Sequence, residues 1–359
     1  MGQARQPGLD VVRGTAILLV LLFHGGLPLG VPALDAVFRP LFAVGWIGVD
    51  LFFVLSGFLV GRMILVETAS SGRVDRRRFF RRRALRLWPV LWLYLAALLA
   101  LGGTGAWRMV WPVLLHVQNY DDQAPSHLWS LAVEEHFYLG AVLMIPPLLR
   151  RGGYPLVERA LLAVMAACLL LRLGALATGV PLLHLQWQTQ YRLDAPAFGV
   201  LMASISLHQP ALFARLARRR GWWFAAAVAG TVIMGVAGDG DFRHGPGFTI
   251  AYLAAGAFVM ALVGTRIPRA VAWPAGRLAA LGVIAYPVYV WHASIGVTVR
   301  AVGTQVPSPL LVVGAIAGAI VVGAAVHVLV ERPAMRLRDR SHQRLAGSKA
   351  IANELQQYS

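Results

Sequence analysis

The chain reads as a series of long apolar runs separated by short polar stretches. A helix needs about 20 mostly apolar residues to cross the hydrocarbon core of a bilayer. Ten segments meet that requirement: 14–31, 41–65, 86–104, 128–149, 159–178, 192–207, 222–238, 247–264, 279–299 and 309–330. The sixth is short, and Pro196 is expected to break it. The pattern predicts an all-α integral membrane protein with ten transmembrane helices.

The polar stretches alternate in charge. Basic residues accumulate on the cytoplasmic side of a membrane. With the N-terminus inside, one set of loops holds Arg73, Arg76, Arg77, Arg78, Arg81, Arg82 and Arg83, then Arg150 and Arg151, then Arg215, Arg218, Arg219 and Arg220, then Arg266, Arg269 and Arg277. The tail adds Arg332, Arg336, Arg338, Arg340, Arg344 and Lys349. The opposite loops carry little base, among it Arg39, Arg108 and Arg243, beside Asp35, Asp121, Asp122, Asp239 and Asp241. A missed span would break this alternation, so both termini are expected in the cytoplasm. Residues 1–340 are read as one transmembrane domain and 341–359 as a polar cytoplasmic tail. The outer segment 105–127, with Trp107 and Trp111, reads as an interfacial belt or a short re-entrant helix.

Composition supports the membrane reading. Apolar residues make up 58% of the chain and charged residues 14%, against roughly 25% charged in soluble domains. Mean hydropathy is +0.63. The formal charge is +17, and Lys349 is the only lysine. A nucleic-acid binder would not interleave its arginines with such runs, so nucleic acid is excluded as a partner. One cysteine, Cys168, excludes an intramolecular disulfide. The first run is not read as a signal peptide, because Arg13 and His24 flank it and many spans follow.

Ionisable groups inside a bilayer are costly, which makes them functional candidates. Arg13 and His24 are eleven residues apart, about 16 Å of helix rise, and eleven steps of about 100° return to nearly the same face. Arg13 is placed at the cytoplasmic mouth with His24 above it. Asp50 falls at nearly the depth of His24, where a carboxylate can fix an imidazole's tautomer; capping a broken helix and pairing with an arginine are the alternatives. Arg82, Arg83 and Arg86 continue the arginine cluster onto the third span and suit a phosphorylated donor, the outer arginines serving topology. In the fourth span Glu134 and Glu135 point about 100° apart. One is expected to face a cavity and the other to pair with an arginine such as Arg192. Trp129, Glu135, Arg192, Tyr286 and His292 are the candidates for holding an acceptor, although aromatic residues in membrane helices commonly serve packing.

Together these residues resemble the membrane-bound acyltransferase-3 family, from about Leu9 to Pro333. The resemblance rests on Arg13 and His24 as a basic-x10-His element and on the second-span run from Gly48 to Gly57. It rests also on the arginine loop from Phe79 to Pro89 and on the run from Trp129 to Tyr138. Arg192 to Ala195, Tyr289 to His292 and Glu331 to Pro333 are weaker matches. The family usually has glutamine where His136 stands. Many relatives also carry a fused esterase-like domain, which this chain is read as lacking.

The resemblance implies a bacterial inner-membrane enzyme that moves an acyl group, commonly acetyl from acetyl-CoA, to a hydroxyl of a glycan or glycoside. His24 would act as general base, oriented by Asp50, with Glu134 as a further catalytic group and Arg13, Arg82, Arg83 and Arg86 on the acyl-CoA. No metal is expected. The competing reading is a proton-coupled transporter or flippase using the same intramembrane groups, but the inverted halves such a protein would show are not found.

Overall fold

The computed structural model describes residues 6–25, 31–265, 271–303 and 308–337. Arg266, Arg269, residues 26–30 of the first predicted span and the tail from 338 lie outside them. Regular structure among the described residues is helical, with no strand. Seven helical stretches are long and apolar enough to cross a bilayer, or up to nine if each of two bent pairs is one span.

The chain enters through α1 (Pro7–Gly25), crosses a short α2 (Pro32–Val44), and returns through α3 (Ile47–Ser71) and α4 (Arg76–Leu101). Asp75 starts α4 by accepting from the Arg78 N–H at 2.9 Å, a side-chain cap on the first turn. A short α5 (Ala106–Leu114) follows where the interfacial helix was expected.

The next element, α6 (Trp129–Ala177), has 49 residues. A straight helix of that length would run about 74 Å, far beyond the roughly 30 Å core. Gly152 and Gly153 break it, Gly153 at a φ of 63°. The two arms fold back on each other. His136 on the first arm bonds Thr189, and Arg172 on the second bonds the Tyr191 carbonyl two residues further along. A straight helix would hold residues 136 and 172 about 54 Å apart. The tip of this hairpin carries Arg150 and Arg151.

After α7 (Leu182–Trp187) come α8 (Asp194–His208) and α9 (Pro210–Arg218), bent 114° from each other. Pro196 does not break α8. It sits in the first turn, where its missing N–H would be unpaired anyway. The helices α10 (Arg220–Ala237) and α11 (Phe248–Leu262) form a tight pair. The ninth predicted span is two helices, α12 (Ala272–Val283) and α13 (Ala285–Val302), bent by 77°. Pro287 explains the break: a through-going helix would set its ring against the Val283 carbonyl. The last span is α14 (Ser308–Val326).

Without water to squeeze out, helices in a bilayer associate by close packing, and glycine lets backbones approach. A Cβ on Gly57 would lie 2.1 Å from the Pro196 carbonyl oxygen, and one on Gly14 would lie 1.8 Å from that of Leu278. These contacts seat α3 on α8 and α1 on α12.

The interior also holds charge. Arg172 is fully buried, and every arm of its guanidinium is used. It donates to Asp194 at 2.6 Å, to the Tyr191 and Gly245 carbonyls and to Thr249, joining the hairpin to α8 and α11. Replacing Arg172 by Met strands Asp194 as a buried charge. Thermal unfolding in detergent should show a loss of about 3–5 kcal/mol, partly recovered in an Arg172→Met, Asp194→Leu double variant. Equal stability of the single variant and wild type would show that the pair anchors nothing.

Candidate active site

Two cavities of about 150 Å³ each have one lining residue in common, Val49. The inner one is enclosed by α1, α3, α4, the first arm of α6, α12, α13 and the end of the last helix. Its charged walls are Arg13, Arg83, Arg86, Glu134 and Glu331. Arg13 donates to Asp10 at 2.8 Å. Arg83 donates to Glu135 from Nε (3.2 Å) and Nη2 (2.9 Å) and lies 3.6 Å above the Tyr138 ring. Arg86 is exposed and has no carboxylate partner among the described residues. Ser56, Glu134 and Tyr138 hydrogen-bond to one another on the cavity wall. Glu331 is held by His327 at 2.7 Å. Tyr286 donates to the Leu87 carbonyl at 2.9 Å and closes the same wall.

The outer cavity is lined by Trp46, Trp129, Trp187 and Phe248, with His24, His127, Gln186 and Arg192 among them. A smaller cavity of about 110 Å³ lies beside it and is lined by His24, His292 and Arg300. His24 lines both.

Three histidines gather here. The His24 and His292 ring centroids are 4.7 Å apart, and those of His127 and His292 are 5.3 Å apart. Each ring bonds a main-chain carbonyl: His24 Nδ1 to Val20 (3.0 Å), His292 Nδ1 to Tyr289 (2.6 Å), and His127 Nε2 to Val290 (3.0 Å). A carbonyl only accepts, so these nitrogens carry the proton. In the neutral ring the lone pair is then left on Nε2 of His24, the form a general base requires.

Asp50 does not orient His24. Asp50 Oδ1 accepts from Arg192 Nη2 at 2.7 Å, both residues being buried, and Oδ2 has no protein partner. The pairing follows from helix position. Asp50 lies in the first turn of α3, facing α8, while the Val20 carbonyl one turn below His24 already fixes the imidazole. Arg192 is only half satisfied. Its guanidinium lies 3.7 Å above the Phe248 ring, and Nε and Nη1 are buried without a partner.

The other predicted residues divide between the cavities. Glu134 faces the inner cavity as expected of one of the pair, and Glu135 takes an arginine, but that arginine is Arg83 rather than Arg192. Arg83 and Arg13 are each engaged by a carboxylate, and Arg86 stands beside them on the inner wall. Arg82 is half-buried and does not line the cavity. Tyr286 belongs to the inner cavity, whereas Trp129, Arg192 and His292 belong to the outer side.

Several residues of the site had no role assigned from sequence. Tyr138 lies one turn beyond Glu134, and Ser56 sits inside a motif whose aspartate drew attention. His127 and Arg300 flank spans rather than interrupting them. Arg172 does interrupt one, and the rule that singled out Asp50 applies equally to it. His116 has a φ of 55°, in the left-handed region. Burial pushes its imidazole below the ordinary value.

Residues 6–328 match the acyltransferase-3 family, described as an acyltransferase domain. The chain is 30% identical to a candidate membrane-bound transacylase, BcsY, of Komagataeibacter xylinus, over 94% of this chain and 85% of that protein. It is 31% identical to a candidate peptidoglycan O-acetyltransferase, YrhL, of Bacillus subtilis, over 46% of this chain and 27% of that protein. With the O-acetyltransferase OatA of Staphylococcus aureus it shares 28% identity over 40% of this chain and 25% of that protein. No solved structure matches the chain. A match covering nearly every described helix shows that this multi-pass membrane protein belongs to the membrane-bound acyltransferase-3 family and is an acyltransferase.

Proposed function

We propose that the protein is an O-acyltransferase of the bacterial inner membrane. It would carry an acyl group, acetyl in the first instance, from cytoplasmic acyl-CoA to a hydroxyl of a carbohydrate or glycoside acceptor. Counting the two arms of the α6 hairpin separately, and each bent pair as one span, brings the spans to the ten expected from sequence. With arginines at the hairpin tip, both termini are then cytoplasmic. Residues 1–340 act as one domain in this reading, with 341–359 as its tail.

The observation that carries the reading is a pair of cavities with Val49 in the wall of each, one bearing arginines and the other aromatic with His24 in its wall. Arg13 and Arg86 hold the donor's phosphates, supported by Arg82. Arg83 acts at one remove, fixing Glu135 and Tyr138. The pantetheine arm extends along the inner cavity and past Val49, bringing the thioester to His24. His24 Nε2 takes the proton from the acceptor hydroxyl as that oxygen attacks the thioester carbonyl. The C–O bond forms, the C–S bond breaks, and the proton passes to the departing thiolate. Asp50 serves by holding Arg192, whose free N–H groups face acceptor oxygens, while Trp129 and its neighbours pack on the sugar ring. His292 packs against His24 and fixes the plane of its ring. Glu134 polarises the inner wall through Ser56 and Tyr138. The relatives named as transacylase and O-acetyltransferases support this reading over a transporter.

Calorimetric titration of CoA into the detergent-purified protein should show binding, weakened about ten- to a hundredfold by Arg86→Ala, the scale of lost charge-assisted hydrogen bonds. Val49→Phe should lower acyl transfer by about a hundredfold, since misplacement of about 1 Å costs that much. No CoA binding in folded wild type would remove the donor assignment. Changing His24 to Ala should lower turnover by about 10²–10⁴ in correctly inserted protein, the range for general-base catalysis. Full turnover in that variant would end the role given to His24.

A further inference from the structure

Away from both cavities, a slot of about 580 Å³ opens between α8, α9, α10 and α11. Its walls are almost wholly apolar, and small residues such as Ala226, Ala229 and Gly230 keep it open. It runs from Trp223 to Ile233 along α10 and from Met260 to Ile250 along α11. Ten helical residues rise about 15 Å, half of the roughly 30 Å hydrocarbon core. The slot is therefore one leaflet deep.

One end of the slot lies at headgroup level. There the chain turns by 114° out of α8 into α9, which carries Phe213 and Leu216 on the slot side. Arg215 and Arg218 of α9, and Arg219 just past its end, are exposed. This is the division of an interfacial amphipathic helix, apolar face down and basic face among the headgroups. Trp222, 78% exposed beside these arginines, marks the same level, where tryptophans of membrane proteins collect.

We propose that this slot is a binding site for an anionic phospholipid, one acyl chain filling it and the phosphate meeting the arginine face of α9. The depth fits one chain in one leaflet. The apolar lining fits hydrocarbon and leaves no polar group to hold a soluble molecule. The three arginines select the sign of the headgroup. The ligand lies against Phe198, Met202 and Ile205 of α8, the helix that begins at Asp194 next to Arg192.

The test uses the full chain, purified in detergent and examined by native mass spectrometry with phosphatidylglycerol, phosphatidylcholine or inorganic phosphate added. Wild type should retain phosphatidylglycerol at least about tenfold better than phosphatidylcholine and should not retain phosphate. An Arg215→Gln, Arg218→Gln, Arg219→Gln variant should lose that preference, and Ala229→Trp, at an exposed position, should lose the bound lipid. Equal retention of the two lipids by wild type would overturn the proposal. So would unchanged retention of phosphatidylglycerol in either variant.

Discussion

Charge buried where there is almost no water governs this molecule. Each ionised side chain in the bundle must find an opposite charge or enough polar atoms, or it destabilises the fold by several kcal/mol. Arg172 shows the requirement fully met, with a carboxylate, two carbonyls and a hydroxyl around one guanidinium. It fixes the α6 hairpin, the Tyr191–Asp194 turn and the start of α11 in one arrangement. Arg192, two residues from Asp194, is built differently. It has Asp50 and an aromatic face, but two of its nitrogens stay unpaired on the wall of a cavity. The contrast separates a guanidinium whose polar atoms are all met from one that keeps two buried nitrogens without a partner.

The same economy explains the inner cavity. Arg83 is surrounded by Glu135, Glu134 and the Tyr138 ring, so its charge is spent within the protein. Arg86, one turn onward, lines the cavity with no carboxylate partner among the described residues. Spacing of three residues put both on one side of α4, but only the partner carboxylates on α6 distinguish them. In the proposed reaction Arg83 shapes the donor's wall and Arg86 touches the donor.

Apolar run length and arginine placement made most of the helices legible in the sequence, because both report on the bilayer rather than on tertiary contacts. The departures have local causes. Pro196 was read as a breaker although it starts a helix, and Pro287, passed over, bends one. The helical stretch that continues into α3 begins at Pro32, with a turn at Gly45 and Trp46 between α2 and α3. The candidate site was legible as a set of residues but not as a set of pairs. His24, Arg13, Arg86, Glu134 and Arg192 all line cavities, yet Asp50 was matched to His24 by depth alone. Depth cannot give the direction in which a side chain leaves its helix, and here that direction leads to Arg192. His292 reaches His24, and His127 reaches His292, from segments more than a hundred residues away, a proximity no local pattern encodes.

The central claim is that a donor bound at the inner arginines presents its thioester to His24 across the level of Val49. A cryo-electron microscopy structure with a non-hydrolysable acetyl-CoA analogue tests it most directly. The account predicts phosphates on Arg13 and Arg86, with the position of the attacking oxygen within about 3 Å of His24 Nε2, hydrogen-bond reach for a general base. An analogue whose acyl end lies away from His24, or whose phosphates avoid both arginines, would contradict it.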